Sequence, residues 1–189
     1  TPSGVSGGSK LTKITDGGVI GDGTTSDYLQ VPSSGHTDFS MDGDFTVEWF
    51  YYRQSVSSTY MWTVGDSNDS TGLELYWGTS GTILKFFTNG SATNITAASP
   101  KGGWSHYAVV RSGSTITAYY DGKSVGTISN STTFSGDFTV GGEYYDGAIS
   151  GGLSGPISNF RYIKGTALYT SDFTPPTEPL TNVTNTKLL

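Results

Sequence analysis

An all-β sandwich of two antiparallel sheets is the fold class that this sequence predicts, and three observations carry the prediction. The composition is one of strands and turns. Glycines number 27, aromatic residues make up 13% and charged residues only 14%, below the quarter usual in globular domains. About ten to thirteen short alternating or apolar stretches succeed one another, with turn signals at a spacing of roughly 8–12 residues. No amphipathic helix longer than a turn is visible. A chain of 189 residues is long enough for one such domain with a core of its own.

Thr1–Lys10, at the start, is Gly/Ser-rich and reads as a linker or arm. Leu11–Ile20 is a weak strand, Gly21–Ser26 a polar loop, and Tyr28–Val31 a short strand ended by Pro32. Ser33–Gly43 is a loop holding His36, Asp38, Asp42 and one apolar anchor, Phe39. Phe45–Tyr52 alternates cleanly, with Phe45, Val47, Trp49 and Tyr51 on one face and Thr46, Glu48, Phe50 and Tyr52 on the other. Aromatics on both faces predict a strand buried on both sides for part of its length, as a two-layer sandwich allows.

Tyr60–Val64 is the next strand, and Asp66–Gly72 a polar loop. Leu73–Trp77 and Ile83–Thr88 form a hairpin around Gly78–Gly81. Thr93–Ala98 comes next, then Trp104–Arg111 and Ser114–Tyr120, joined at Ser112-Gly113. Asp121-Gly122 is the strongest hairpin signal, because both positions tolerate positive φ. Ser124–Ile128, Phe138–Gly141 and Gly155–Ile163 complete the set. In the last of these, Ile157, Asn159, Arg161 and Ile163 are expected on one face, and Ser158, Phe160, Tyr162 and Lys164 on the other. Gly-Asp-Phe-Thr-Val occurs at Gly43–Val47 and again at Gly136–Val140. The repeat reads as two similar strand openings on equivalent edges. The sandwich spans residues 11–180, with 181–189 a C-terminal segment. The start at Thr1 and the end on two leucines suggest a piece of a longer protein.

Charge and composition exclude several function classes. The formal net charge is −6, which argues against nucleic acid and against insertion into or docking on an anionic membrane. Without cysteine the fold holds by packing or by a bound ion. Glycoside hydrolysis needs two carboxylates about 5–10 Å apart. Glu48 and Glu74, the strand carboxylates, have no acidic partner two or four residues away within their own strands. Glu143 and Asp146 lie in a Gly-rich stretch that fixes no pair. Only two facing carboxylates in a groove would revive an enzyme, so a non-enzyme is expected. His36 and His106 are the only histidines, with no Gly-x-Ser-x-Gly motif and no His/Cys cluster for zinc.

Calcium takes six to eight oxygens from flexible loops. Asp22 with Asp27, Asp66 with Asn68 and Asp69, and Glu143 with Asp146 are acid-rich places, and Asp66, Asn68 and Asp69 are the first choice. Sugar binding needs exposed aromatic faces beside polar groups. Trp62 and Trp77, the latter at a strand end, and Tyr144, Tyr145 and Asp146, in the Gly-rich stretch 141–155, are the candidates. Trp49 and Trp104 are assigned to the core. Five Asn-x-Ser/Thr sequons, at Asn68, Asn89, Asn94, Asn130 and Asn182, are compatible with chance in so Ser- and Thr-rich a chain.

The segment Gly155–Leu180 passes from strand to a turn at Gly165, then to anchors Leu168, Tyr169 and Phe173, then to Pro175-Pro176. It resembles the closing segment of laminin-G-like domains of the concanavalin A-like lectin/glucanase superfamily. Asp27–Pro32 with Gly43–Phe50, and Trp104–Arg111 with Tyr119–Lys123, are similar to that family's opening strands and central hairpin. The wording Gly165–Leu180 looks most like versions in structural proteins of marine, particularly cyanobacterial, bacteriophages. The resemblance implies a jelly-roll sandwich and, at its rim, one Ca²⁺. It also implies a virion surface module for adhesion, its partners a host-surface glycan or neighbouring virion proteins in an oligomeric setting. A purely structural assembly domain and an extracellular bacterial carbohydrate-binding module are the alternatives.

Overall fold

The computed structural model describes residues 18–34, 37–54, 57–78, 83–96 and 102–189. Thr1–Lys10, His36 and the tip of the expected hairpin at 79–82 lie outside the described residues. Two antiparallel sheets face each other. The seven-stranded sheet runs β1 (Val19–Asp22), β14 (Ser154–Lys164), β3 (Phe45–Tyr52), β8 (Trp104–Ser112), β9 (Thr115–Tyr120) and β10 (Lys123–Ser129). β15 (Thr186–Leu188) pairs with the far end of β14, so the last residues belong to the sandwich. The six-stranded sheet runs β2 (Leu29–Val31), β11 (Phe138–Val140), β4 (Thr59–Val64), β5 (Leu73–Trp77), β6 (Ile83–Thr88) and β7 (Ser91–Thr96). The stretch expected to be a Gly-rich loop is instead a separate hairpin of β12 (Gly142–Tyr145) and β13 (Ala148–Gly152).

The core lies between the sheets and is aromatic. Trp49 stacks on Tyr107 at 5.5 Å, Trp62 stacks on Phe138 at 5.9 Å, and the two tryptophans meet edge-on at 6.2 Å. The repeated pentapeptide does mark two similar strand openings, though neither is at a sheet edge. Phe45 and Phe138 both point into the core, Asp44 Oδ1 accepts the Gly113 N–H, and Asp137 Oδ1 accepts the Ser33 N–H. The alternation expected in Gly155–Ile163 breaks. A register shift between Ser158 and Arg161, with Asn159 at φ 50°, lets Ile157 and Tyr162 both face the core. Such a bulge places two residues against one and re-aims the side chains beyond it.

The outer face of β3 is buried too, by the tail after β14. Thr46 Oγ1 donates to the Thr166 carbonyl and accepts the Leu168 N–H, each at 2.9 Å. Tyr169 and Phe173 pack on Ala108, Val110 and Tyr119. The tail returns to the β9–β10 turn, where the Phe173 N–H donates to the Gly122 carbonyl. Asp121 and Gly122 both have positive φ, at 46° and 74°, as the hairpin signal predicts. Beneath the tail sits a polar knot. Glu48, 0% exposed, accepts from Arg161 Nε (2.9 Å), from a second Arg161 nitrogen and from the Tyr169 hydroxyl (2.9 Å), and it meets His106 Nε2 at 3.1 Å. Burial alone pushes the Glu48 carboxyl up. The His106 hydrogen bond and the Arg161 charge outweigh it, and the carboxyl lies below its ordinary value. The outer face of the seven-stranded sheet is thereby largely sealed.

Candidate functional site

The outer face of the six-stranded sheet is the open one. Alternation on β5 sends Leu73, Leu75 and Trp77 inward and Glu74 and Tyr76 outward. Antiparallel register then sets Tyr60, Tyr76 and Lys85 in one row across β4, β5 and β6, and sets Thr63, Glu74 and Phe87 in the next. Tyr60 stacks on Tyr76 at 5.1 Å and 13°, Tyr76 meets Phe87 edge-on at 6.3 Å, and Lys85 Nζ lies 5.8 Å over the Tyr76 ring. All four side chains are half-buried. Asn94, opposite Lys85 on β7, is exposed beside them.

The β12–β13 hairpin forms a wall along this floor. Tyr145 packs edge-on against Phe87 at 6.0 Å. Ser67 donates to the Tyr144 carbonyl from its N–H (3.0 Å) and its hydroxyl. Asp66 fastens the tip, its Oδ1 accepting the Asp146 N–H and its Oδ2 the Gly147 N–H. The structure thus brings Tyr144, Tyr145 and Asp146 together with Asp66. Trp77 does not join them. It is 0% exposed, with the Arg53 guanidinium 4.4 Å over its ring, so it has no face to offer a sugar. A one-residue step explains the correction, because side chains change sides at every residue of a strand and Tyr76 holds the outward place. Trp104 is the converse. Expected in the core, it is 40% exposed, next to Tyr52 at the end of the seven-stranded sheet that the tail does not cover.

Asp66 and Asp69 are tied into the loop by hydrogen bonds. Asp66 Oδ1 accepts the N–H of Asn68 as well as that of Asp146, and Oδ2 accepts Gly147, so both oxygens are turned to amide donors. Asp69 contributes its backbone to the loop, its N–H donating to the Asp66 carbonyl and its carbonyl accepting from Gly72 and Asn89. Among the described residues no three His, Cys, Asp or Glu side chains gather around a common point. Calcium would need six to eight oxygens directed inward.

Sequence reasoning missed a carboxyl pair. Glu74, 1% exposed on β5, is brought up to β12 beside Glu143: Thr63 Oγ1 stands 3.3 Å from Glu74 Oε2 and 2.9 Å from the carbonyl of Gly142, the residue before Glu143. Burial raises both carboxyls, and the neighbouring Glu143 charge raises Glu74 further, well above its ordinary value. The same burial, with the Glu74 and Glu143 charges, pushes the Tyr76 hydroxyl up to about 12. Glycoside hydrolysis needs an accessible acid and a carboxylate roughly 5–10 Å away, and Glu74 is buried. The two acids come from distant parts of the chain. The available signal was the outward register of Glu74 beside the Tyr60–Tyr76 row.

Fold and site define a lectin-like β-sandwich with one sealed and one open outer face. Residues 22–168 match the family model described as the concanavalin A-like lectin/glucanases superfamily, within its laminin G group. The chain belongs to this superfamily. A search of curated proteins gave no match. Among solved structures, mouse laminin α1 domains LG4-5 superpose with a TM-score of 0.59 at 18% identity, over 77% of this chain and 40% of that one. The chain therefore spans less than half of that structure. The CBM40 of Ruminococcus gnavus IT-sialidase, bound to α2,3-sialyllactose, gives 0.57 at 13% identity, over 75% and 88%. Domain 4 of the Geobacillus stearothermophilus arabinanase AbnA, with arabinotriose, gives 0.54 at 14% identity, over 76% and 68%. These likenesses are likenesses of fold.

Proposed function

We propose that this chain is a non-enzymatic glycan-binding module, and that its site is the shelf on the outer face of the six-stranded sheet. One observation carries the reading. Tyr60, Tyr76, Phe87 and Tyr145 form a continuous, half-exposed aromatic surface on the face that the tail leaves open. Aromatic faces take the C–H side of sugar rings. Glu143, Lys85 and Asn94 stand beside it to accept and donate hydrogen bonds to hydroxyls, the mix of apolar surface and few polar groups that binding sites use. Two similar folds, the Ruminococcus gnavus module and the arabinanase domain, carry a sialyllactose and an arabinotriose, which supports the reading.

The resemblance of Gly165–Leu180 to bacteriophage structural proteins supports a place for the module at a virion surface, adhering to host glycan in an oligomeric assembly. An extracellular setting is the alternative. A glycan array with the isolated protein tests the reading. Binding lost on Tyr76→Ala, with the melting temperature held, supports it. A blank array from folded protein overturns it.

A second reading rests on a different observation. Leu29 and Leu189 are exposed at an apolar cleft between β1 and β2, lined also by Val31, Val140, Ile157 and Phe160. A cluster of exposed apolar residues marks a contact surface and favours an assembly role. Sedimentation of the wild type beside Leu29→Asp separates the two readings.

A further inference from the structure

Glu74 Oε1 is a buried oxygen with no hydrogen-bond donor among the described residues. Its other oxygen has Thr63 Oγ1 at 3.3 Å, but that hydroxyl is 2.9 Å from the Gly142 carbonyl and has a single proton to give. Ser150 Oγ donates to Glu143 Oε2 at 2.6 Å. The other titratable and charged groups facing the pair are Tyr60 on β4, Tyr76 on β5, Asp66 in the β4–β5 loop and, over the Tyr76 ring, Lys85 on β6. No lysine or arginine forms an ion pair with either acid among the described residues. Two carboxyl groups in such a place cannot both ionise without large cost. A proton between them supplies the donor that Glu74 Oε1 lacks.

We propose that Glu74 and Glu143 hold the β12–β13 hairpin against the sheet through one shared proton, which makes them positioning residues for the wall of the shelf. The local packing fits a clamp at this point. Gly151 lies so close to Tyr60 that a Cβ there would strike its ring, and Glu143 Oε2 is 3.0 Å from the same position. The hairpin is therefore seated directly over β4, with the acid pair beneath it. Both carboxyls are raised in the folded protein, so their contribution is fully present below the ordinary glutamate value. It is lost as pH rises through the raised ones. The wall that carries Tyr144, Tyr145 and Asp146 is then firm in acid and loosens toward alkaline pH. The pinning stands apart from the glycan reading; only its effect on glycan affinity rests on that reading.

The test is hydrogen exchange of the hairpin amides from pH 5 to 9, corrected for intrinsic rates and referred to β3. The wild type is expected to lose protection at residues 142–152 as pH rises, by up to tenfold per pH unit for one proton. Glu74→Gln places a permanent N–H donor where the shared proton sits, so its profile is expected to be flat at the low-pH level. Glu143→Gln does the same from the other side and serves if the first variant folds poorly. Parallel profiles in wild type and variants, a rise of wild-type protection with pH, or failure of both glutamine variants to fold would each overturn the proposal. Glycan affinity measured on the same samples reports separately. If no sugar binds at any pH, the proposed function fails and the exchange result still stands.

Discussion

Replacing Glu48 with glutamine tests the seal over the seven-stranded sheet. Glu48→Gln keeps the side-chain volume and removes the charge that Arg161, 5% exposed, and His106, 1% exposed, both face. Arg161 would remain buried with its Nη1 on the Thr181 carbonyl as the remaining strong acceptor. Breaking a buried ion pair from one side costs about 3–5 kcal/mol. For a domain of this length each kcal/mol moves Tm by about 2–4 °C, so a fall of about 6–20 °C is expected in calorimetry. Because Glu48 lies below its ordinary value when folded, its contribution is present above that value and lost as pH falls through the folded one. The gap between wild type and variant should therefore close in acid. A loss below about 1 kcal/mol, the value of a solvent-exposed pair, or a gap independent of pH, would refute the reasoning.

Three further outcomes are expected. Tyr76→Ala and Phe87→Ala should weaken glycan binding by about fivefold each, as expected when a stacked ring worth about 1 kcal/mol is removed, while Trp77→Ala should lower stability by about 3–5 kcal/mol; titration calorimetry beside urea unfolding distinguishes them. EDTA should leave Tm unchanged, because the Asp66 oxygens already accept amide N–H groups; a drop of several degrees would restore the calcium expectation. Gly122→Ala should free the tail, since a Cβ there meets the Phe173 carbonyl at a positive φ, and limited proteolysis after Lys164 should then accelerate.

The sandwich was legible because its signals are local. Alternation in Phe45–Tyr52, the Asp121-Gly122 turn and the closing segment each declare themselves within a few residues. The aromatics on both faces of β3 also foretold burial on both sides, and the tail supplies the second cover. The site was half legible. Tyr144–Asp146 and Asp66 do meet, but which of Tyr76 and Trp77 faces out depends on a register that one strand alone does not reveal. Trp104 was placed inside because its strand is apolar, whereas its exposure depends on how far the tail extends. For the Glu74–Glu143 pair the strand pattern shows only that Glu74 faces outward; its meeting with Glu143 is a tertiary fact.

The arrangement around β3 also sets the order in which the molecule can form. β3 lies at the middle of its sheet, yet its partners β8 and β14 come much later in the chain. A ribosome releases β3 long before either neighbour exists, and Glu48 waits longer still for Arg161 and Tyr169. Until then an apolar strand with two unpaired edges stands exposed, the condition that favours association with other chains. Pairings this distant in sequence also make folding slow. Expression yield should therefore depend on temperature and chaperone supply more steeply than the stability of the finished sandwich would suggest.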